Sequence, residues 1–347
     1  MKTRIILLQL ILLHTGGSAF SSATSDTTSL IPEDKSTEHE SFVSQQAFTM
    51  EAGYLGDICT NMAGGIRKGT VFIGMANLKI GFDTRLAGLW GGGQFFANGA
   101  ATHGQSPSEK LTGDFQVVSN IDAGDHIYLH ELWYRHSFSR FEITIGLQDV
   151  NVEFAGSENG SQFINSSFGI PPIISDNIPA PVFPLTAPGI TGKLLLSDAF
   201  TFVGAVYDGC PTAFEHNLYN TRWHLNPDDG NLFMTELQWT GNITGNTATW
   251  KAGYYHHSGL VQTDSETGEK TEVFDQNYGF YFIVDQTVWK ANEGNRNIGL
   301  FAQVAVSPPK INNHHFYLGG GITLNGISKR QAGDAMGIAF ASAGFHL

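Results

Sequence analysis

The sequence has 347 residues, 32 acidic against 19 basic, for a formal charge of −13; so acidic a chain offers no positive surface to a phosphate backbone, which excludes nucleic acid as a partner. Charged residues make up only 15 %, below the roughly 25 % usual in soluble domains, while Gly (41), Phe (25) and Tyr (10) are plentiful. That balance suits a β-barrel whose outer face meets lipid, and it also suits a secreted β-sandwich.

In chain order, residues 1–19 read as a secretory signal peptide. Lys2 and Arg4 precede the apolar run IILLQLILL, and Gly17-Ser18-Ala19 supplies small residues for cleavage. The run is too short for a membrane helix, which needs about 20 apolar residues, and no later segment is long and apolar enough to be one. Residues 20–48 are rich in Ser, Thr, Glu and Asp and are expected to form a flexible N-terminal segment. Residues 49–347 are expected to form a single all-β domain.

Within that domain the pattern predicts about fourteen strands. They fall near 51–60, 69–84, 88–97, 115–121, 126–138, 140–150, 190–196, 199–207, 231–240, 247–257, 277–290, 297–306, 315–325 and 335–345. Turn signals such as Gly64-Gly65, Asp122-Ala123-Gly124, Ser197-Asp198, Gly241-Asn242, Gly294-Asn295 and Gly333-Asp334 separate many of them. Short turns are expected near 85–88, 122–125, 139, 197–198, 241–246 and 291–296, and long loops near 98–114, 151–189, 208–230 and 258–276. Such sorting of short and long connections is expected of outer-membrane barrels.

Several strands alternate strictly. Phe141, Ile143, Ile145 and Leu147 oppose Glu142, Thr144 and Gln148; Leu300, Ala302, Val304 and Val306 oppose Phe301 and Gln303. A sandwich with its apolar face inward and a barrel with its apolar face outward share this periodicity. Strand number, loop sorting and aromatics near strand ends (Tyr128, Phe138, Trp239, Trp250, Trp289) favour the barrel.

Enzymatic signals are weak. HExxH, GxSxG and P-loop motifs are absent, and Gly91-Gly92-Gly93 resembles a phosphate loop only in composition. His256-His257 and His314-His315 are strand neighbours that point to opposite faces, so they make poor chelates. Cys59 and Cys210 could pair in an oxidising compartment but have no metal-ligand spacing with histidines.

Leu129-His130-Glu131-Leu132-Trp133-Tyr134, Ile145-Gly146-Leu147-Gln148-Asp149 and Phe163-Ile164-Asn165-Ser166-Ser167-Phe168-Gly169 with Pro171-Pro172 resemble the OprB-type carbohydrate-selective porins. The stretch from Gly319-Gly320-Gly321-Ile322 to Arg330, with Gly333-Asp334-Ala335-Met336-Gly337-Ile338, resembles a late hairpin of the same family. The match covers about residues 51–345. It implies a transmembrane antiparallel β-barrel of the outer-membrane type, with sixteen strands in the family and about fourteen visible here. It implies passive diffusion of mono- and oligosaccharides through a water-filled pore narrowed by an inward-folded loop. The expected surroundings are the bacterial outer membrane and its lipid; homotrimers are common among porins, and no cofactor is implied. The family finishes with two further strands and commonly a terminal aromatic, whereas this chain stops at Gly344-Phe345-His346-Leu347, so a truncated product or a smaller variant is expected.

Pore selectivity comes from width, lining charge and hydrogen-bonding groups. Glu131, Trp133 and Arg135 share one parity of their strand and combine acid, aromatic and base as an eyelet needs; a lipid-rim Trp and an ordinary ion pair are the plainer account. Glu142 and Gln148 are pore-lining candidates on the polar face of the next strand. Asn165, Ser166, Phe168 and Asp176 are the candidates on the Asn165–Pro184 constriction loop, which prolines stiffen and whose Phe183 offers a further face; an external lid is the alternative. Lys79, Asp83 and Arg85 share a parity and are expected either to line the lumen or to form a solvated strand end. Two functions compete with the porin: a secreted or surface carbohydrate-binding β-protein, and an outer-membrane hydrolase on a small barrel.

Overall fold

In a computed structural model, described over residues 7–11, 46–223, 225–263, 269–291, 296–327 and 334–345, the chain forms one fourteen-stranded antiparallel sheet and a separate hairpin. The strands are β1 (Leu7–Ile11), β2 (Phe48–Asn61), β3 (Gly69–Asp83), β4 (Gly93–Gly104), β5 (His126–Ser137), β6 (Phe141–Gln148), β7 (Ala187–Leu195), β8 (Phe200–Asp208), β9 (Asn231–Ile243), β10 (Asn246–His257), β11 (Leu260–Thr263), β12 (Lys270–Phe274), β13 (Asn277–Lys290), β14 (Asn297–Val306), β15 (His314–Asn325) and β16 (Ala335–Phe345). From β2 to β10 each strand pairs with its sequence neighbour. β13 pairs with β10, and β11–β12 form the separate hairpin.

Burial follows the alternation, and its direction decides between sandwich and barrel. Along β13 and β14, Phe280, Phe282, Leu300, Val304 and Val306 are exposed, while Tyr281, Asp285, Phe301 and Gln303 are buried. The same holds around the sheet: Phe72, Leu78, Ile145, Ile190, Phe202, Phe233 and Ile338 face out, and Glu236, Lys251 and Thr323 face in. A continuous exposed apolar face with polar groups inside requires lipid, not water, as the outer solvent. No helix among the described residues is long and apolar enough to cross a membrane; the crossing is made by strands.

Two edges remain. β1 pairs with β16 from Leu7↔Ala341 to Ile11↔Gly337, and β2 ends the other side; among the described residues β1 and β2 are not paired with each other. β1 lies inside the expected signal peptide, whose cleavage would remove it. The expected flexible segment lies outside the described residues up to residue 45, as do Gly294-Asn295, Arg330, Gly333, His346 and Leu347.

Connections sort by rim. One rim carries the short connections 84–92, 138–140, 196–199 and 244–245, together with those that join β13 to β14 and β15 to β16; the other carries 62–68, 105–125, 149–186, 209–230, 307–313 and the connection from β10 to β13. Three expectations need correction. Residues 115–121 form no strand, because Val117 adopts φ 53 and the backbone bonds to another loop. With β4 running on to Gly104, 105–125 is one long loop and no short turn falls at 122–125. The β9–β10 turn is Thr244-Gly245 rather than Gly241-Asn242; both turn residues have positive φ, the two-residue hairpin geometry that matches strand twist. Cys59 and Cys210 are both free thiols.

Candidate functional site

The sheet curls around the segment between β6 and β7. Residues 149–186 leave the rim and turn inward, so that Val150, Phe154, Phe163, Phe168, Ile173 and Ile174 pack on the inner wall against Val203, Tyr207, Leu232, Met234, Tyr255, Ile283, Phe301 and Tyr317. Ile173 and Ile174, on the short helix α1 (Pro172–Ser175), are fully buried; each contributes about 1.5–3 kcal/mol by leaving water.

Polar wall residues catch the segment's backbone. Tyr255 donates to Ile173 O (2.7 Å), Tyr317 to Ser167 O (2.7 Å) and Gln303 Nε2 to Phe168 O (3.0 Å). Glu236 accepts from Ala155 N (2.8 Å), and Asp285 accepts from Asn159 N (3.0 Å) and Ser157 Oγ (2.9 Å). Where the loop packs against the wall these groups are cut off from water, and the wall supplies the partners.

The base of the segment is clasped by Asp149. Its Oδ1 accepts from Asn151 N (2.8 Å) and its Oδ2 from Phe183 N (3.1 Å), so one carboxylate joins both ends. His130 Nε2 stands 3.5 Å from the same oxygen. It gets there through a β-bulge: between β4 and β5 the register slips at Asn98/Gly99, so consecutive residues His130 and Glu131 are both buried. Thr186 Oγ1 donates to His130 O (2.6 Å) and closes the clasp.

On the β4–β6 wall the eyelet candidates come together. Trp133 Nε1 donates to Glu131 (3.2 Å), Phe96 stacks on the indole at 4.8 Å, and the Arg135 guanidinium lies over it at 4.7 Å. Gly146, at φ 142, sits opposite Trp133, where a Cβ would lie 2.2 Å from Leu132 O; only glycine lets β6 approach this closely. Trp133 is 7 % exposed, and its ring is covered by Phe96 and the Arg135 guanidinium. Arg135 Nη2 bonds Glu153 of the inward segment (2.7 Å), and its Nε faces Thr144 (3.0 Å) and Glu142 (3.4 Å).

The other candidates fall as follows. Gln148 is buried between Gly189 O (2.9 Å) and Thr191 (2.9 Å). Asn165 is buried and holds Val117 O (2.9 Å), while Phe168 lies in the loop–wall core, so both fasten the segment. Ser166 N donates to Val117 O (3.2 Å). Asp176, at the end of α1, is 3.5 Å from His314; burial pushes its carboxyl up to about 6. Lys79 is half-buried on the lumen parity of β3, Asp83 caps the following turn at Leu86 N (2.9 Å), and Arg85 is exposed in that turn, so the three do not form one cluster.

Sequence reasoning missed a second inward element. The loop 105–125 packs Leu111 against Cys59 and Val71 near β2–β3, bonds the 149–186 segment through Val117 and Gln116, and stacks Phe115 on His314 of β15 at 4.6 Å. It therefore ties the β2–β3 wall, the inward segment and β15 together.

The sequence profile of the family described as "Carbohydrate-selective porin, OprB family" matches residues 73–345. The chain belongs to the OprB family of carbohydrate-selective porins. Among solved structures, the high-pH form of Pseudomonas putida OprB superposes with a TM-score of 0.73 at 18% identity, over 86% of this chain and 76% of that one. The low-pH form of the same protein gives a TM-score of 0.52 at 13% identity, over 86% and 92%. No curated protein sequence matches. Family and fold place this OprB member in the bacterial outer membrane, as a porin rather than a member of an enzyme family.

Proposed function

We propose that this OprB-family porin lets mono- and oligosaccharides diffuse passively through a water-filled lumen narrowed by residues 149–186 together with 105–125. The observation that carries this reading is the burial of 149–186 against the inner wall, with its backbone carbonyls and amides held by wall side chains. A segment so held is a fixed part of the pore cross-section.

The polar edge of the passage is Arg135 with Glu142 and Glu153, backed by the buried Glu131, and at the loop end Asp176. Guanidinium and carboxylates held by one another offer donors and acceptors to sugar hydroxyls without binding tightly, and weak binding is what conduction requires. Lys79 extends this lining along β3. The outward apolar face meets outer-membrane lipid, which argues against the secreted carbohydrate-binding protein.

Liposome swelling tests the proposal. Vesicles carrying the protein should swell in glucose, more slowly in maltose and more slowly again in maltotriose. Equal rates for all three, or no swelling by folded, inserted protein, would overturn it.

A further inference from the structure

Above the bulge, His126–His130 of β5 has no partner from β6, which ends opposite Leu132. The loop 209–230 supplies one. Leu129 N donates to Tyr219 O (3.0 Å), and Asn220 Nδ2 donates to Leu129 O (3.0 Å) and to Thr186 (2.8 Å). Asn217 holds the same turn from within, accepting from Thr221 N (3.1 Å) and Arg222 N (3.2 Å). Tyr219 is thus fixed by its backbone while its side chain stays free, 58 % exposed at the long-loop rim.

Beside it lies a cleft of about 330 Å³ lined by Thr102, Asp125, His126, Ile127, Leu218 and Tyr219. The cleft straddles the rim. Ile127 is on the lipid-facing parity, whereas Thr102 and His126 pair across β4–β5 on the lumen side, and His126 stacks at 4.0 Å on Phe214, which also packs against Tyr128 farther down the inner wall. Asp125 is fixed at the lip, its Oδ1 accepting from Gly104 N (2.8 Å). Thr102 Oγ1 and His126 Nδ1 are buried in the floor without hydrogen-bond partners.

We propose that this cleft is a capture subsite for a single pyranose ring at the outer entrance, deepening the sugar-porin reading on which it rests. Tyr219, Leu218 and Ile127 present an apolar surface to the C–H face of the ring. Asp125 accepts from its hydroxyls, while Thr102 and His126 form the floor beneath it. The volume is at the small end of ligand pockets, which span roughly 300–1,000 Å³. A carboxylate and a hydroxyl in the cleft fit a sugar better than a lipid chain.

Single channels of known orientation test this, with maltotriose added to one face at a time. Tyr219→Ala should leave the salt conductance unchanged and raise the half-blocking concentration from the loop face about fivefold, with block from the opposite face unchanged. Asp125→Asn, which keeps the shape of the lip, should act in the same direction. Unchanged block from the loop face in both variants overturns the subsite. So does a loss of membrane insertion with unchanged sugar block, which would assign Tyr219 to the lipid girdle. Wild-type channels that conduct salt but show no sugar block from either face would overturn the sugar-porin reading itself, and the subsite with it.

Discussion

Arg135 on the barrel wall and Glu153 on the inward segment meet at 2.7 Å, with both side chains mostly buried, and their ion pair joins wall to segment. Removing one partner leaves the other charge uncompensated, at a cost of about 2–5 kcal/mol. Arg135→Ala and Glu153→Ala should each raise salt conductance and current noise as the segment loosens. The double variant should be less perturbed than the sum of the two, by roughly 0.5–3 kcal/mol in a thermal-unfolding cycle. Additive effects would show that the pair does not couple wall and segment.

The apolar seat of α1 makes a second prediction. Ile173→Ala removes a fully buried side chain and should cost about 2–5 kcal/mol. Liposome swelling should then admit larger sugars, because the segment moves. An unchanged size cut-off together with lowered stability would place the constriction elsewhere, on 105–125.

Asp149 should matter more than its position in a loop suggests. Its carboxylate accepts from Asn151 N and Phe183 N, and hydrogen bonds to a charged group contribute about 1.5–3 kcal/mol each. Asp149→Ala should lower the melting temperature and expose 149–186 to protease in detergent. Asp149→Asn, which keeps one acceptor oxygen, should do less. Equal resistance of wild type and both variants would contradict the clasp.

The Asp176 carboxyl, pushed up by burial from 3.8 to about 6, gives a pH dependence with a definite sign. Asp176 is exposed at its surface, with 30 % of its side chain accessible, so the effect on stability is small: the neutral form is favoured below the unfolded value, and that preference is lost as pH rises through about 6. Charge changes in the same window: the lumen gains a negative group near His314 as pH rises, so preference for cations should increase. Asp176→Asn should flatten that rise in reversal-potential measurements; an identical pH profile would remove Asp176 from the lining.

Much of the wall was legible because lipid outside and polar groups inside impose a period of two, and β13, β14 and β15 carry it cleanly. The direction of that alternation was not legible, since a sandwich shares it. The segment around Phe163–Pro172 announced itself by its length and prolines. Its anchors did not: Tyr255, Tyr317, Glu236 and Asp285 are ordinary strand residues until the fold brings them to the loop. His130 escaped notice because strict alternation puts it on the face opposite Glu131, and only the bulge turns both inward. The loop 105–125 was misread because Phe115, Val117 and Ile121 alternate like a strand, while Val117 breaks the extended backbone.

Single-channel recording of the purified protein in a planar bilayer, in salt alone and with added glucose or maltotriose, tests the central claim most directly. The account predicts discrete openings whose current falls with sugar concentration, at lower concentration for maltotriose than for glucose. Discrete openings indifferent to both sugars would contradict a sugar-conducting lumen narrowed by the inward segment.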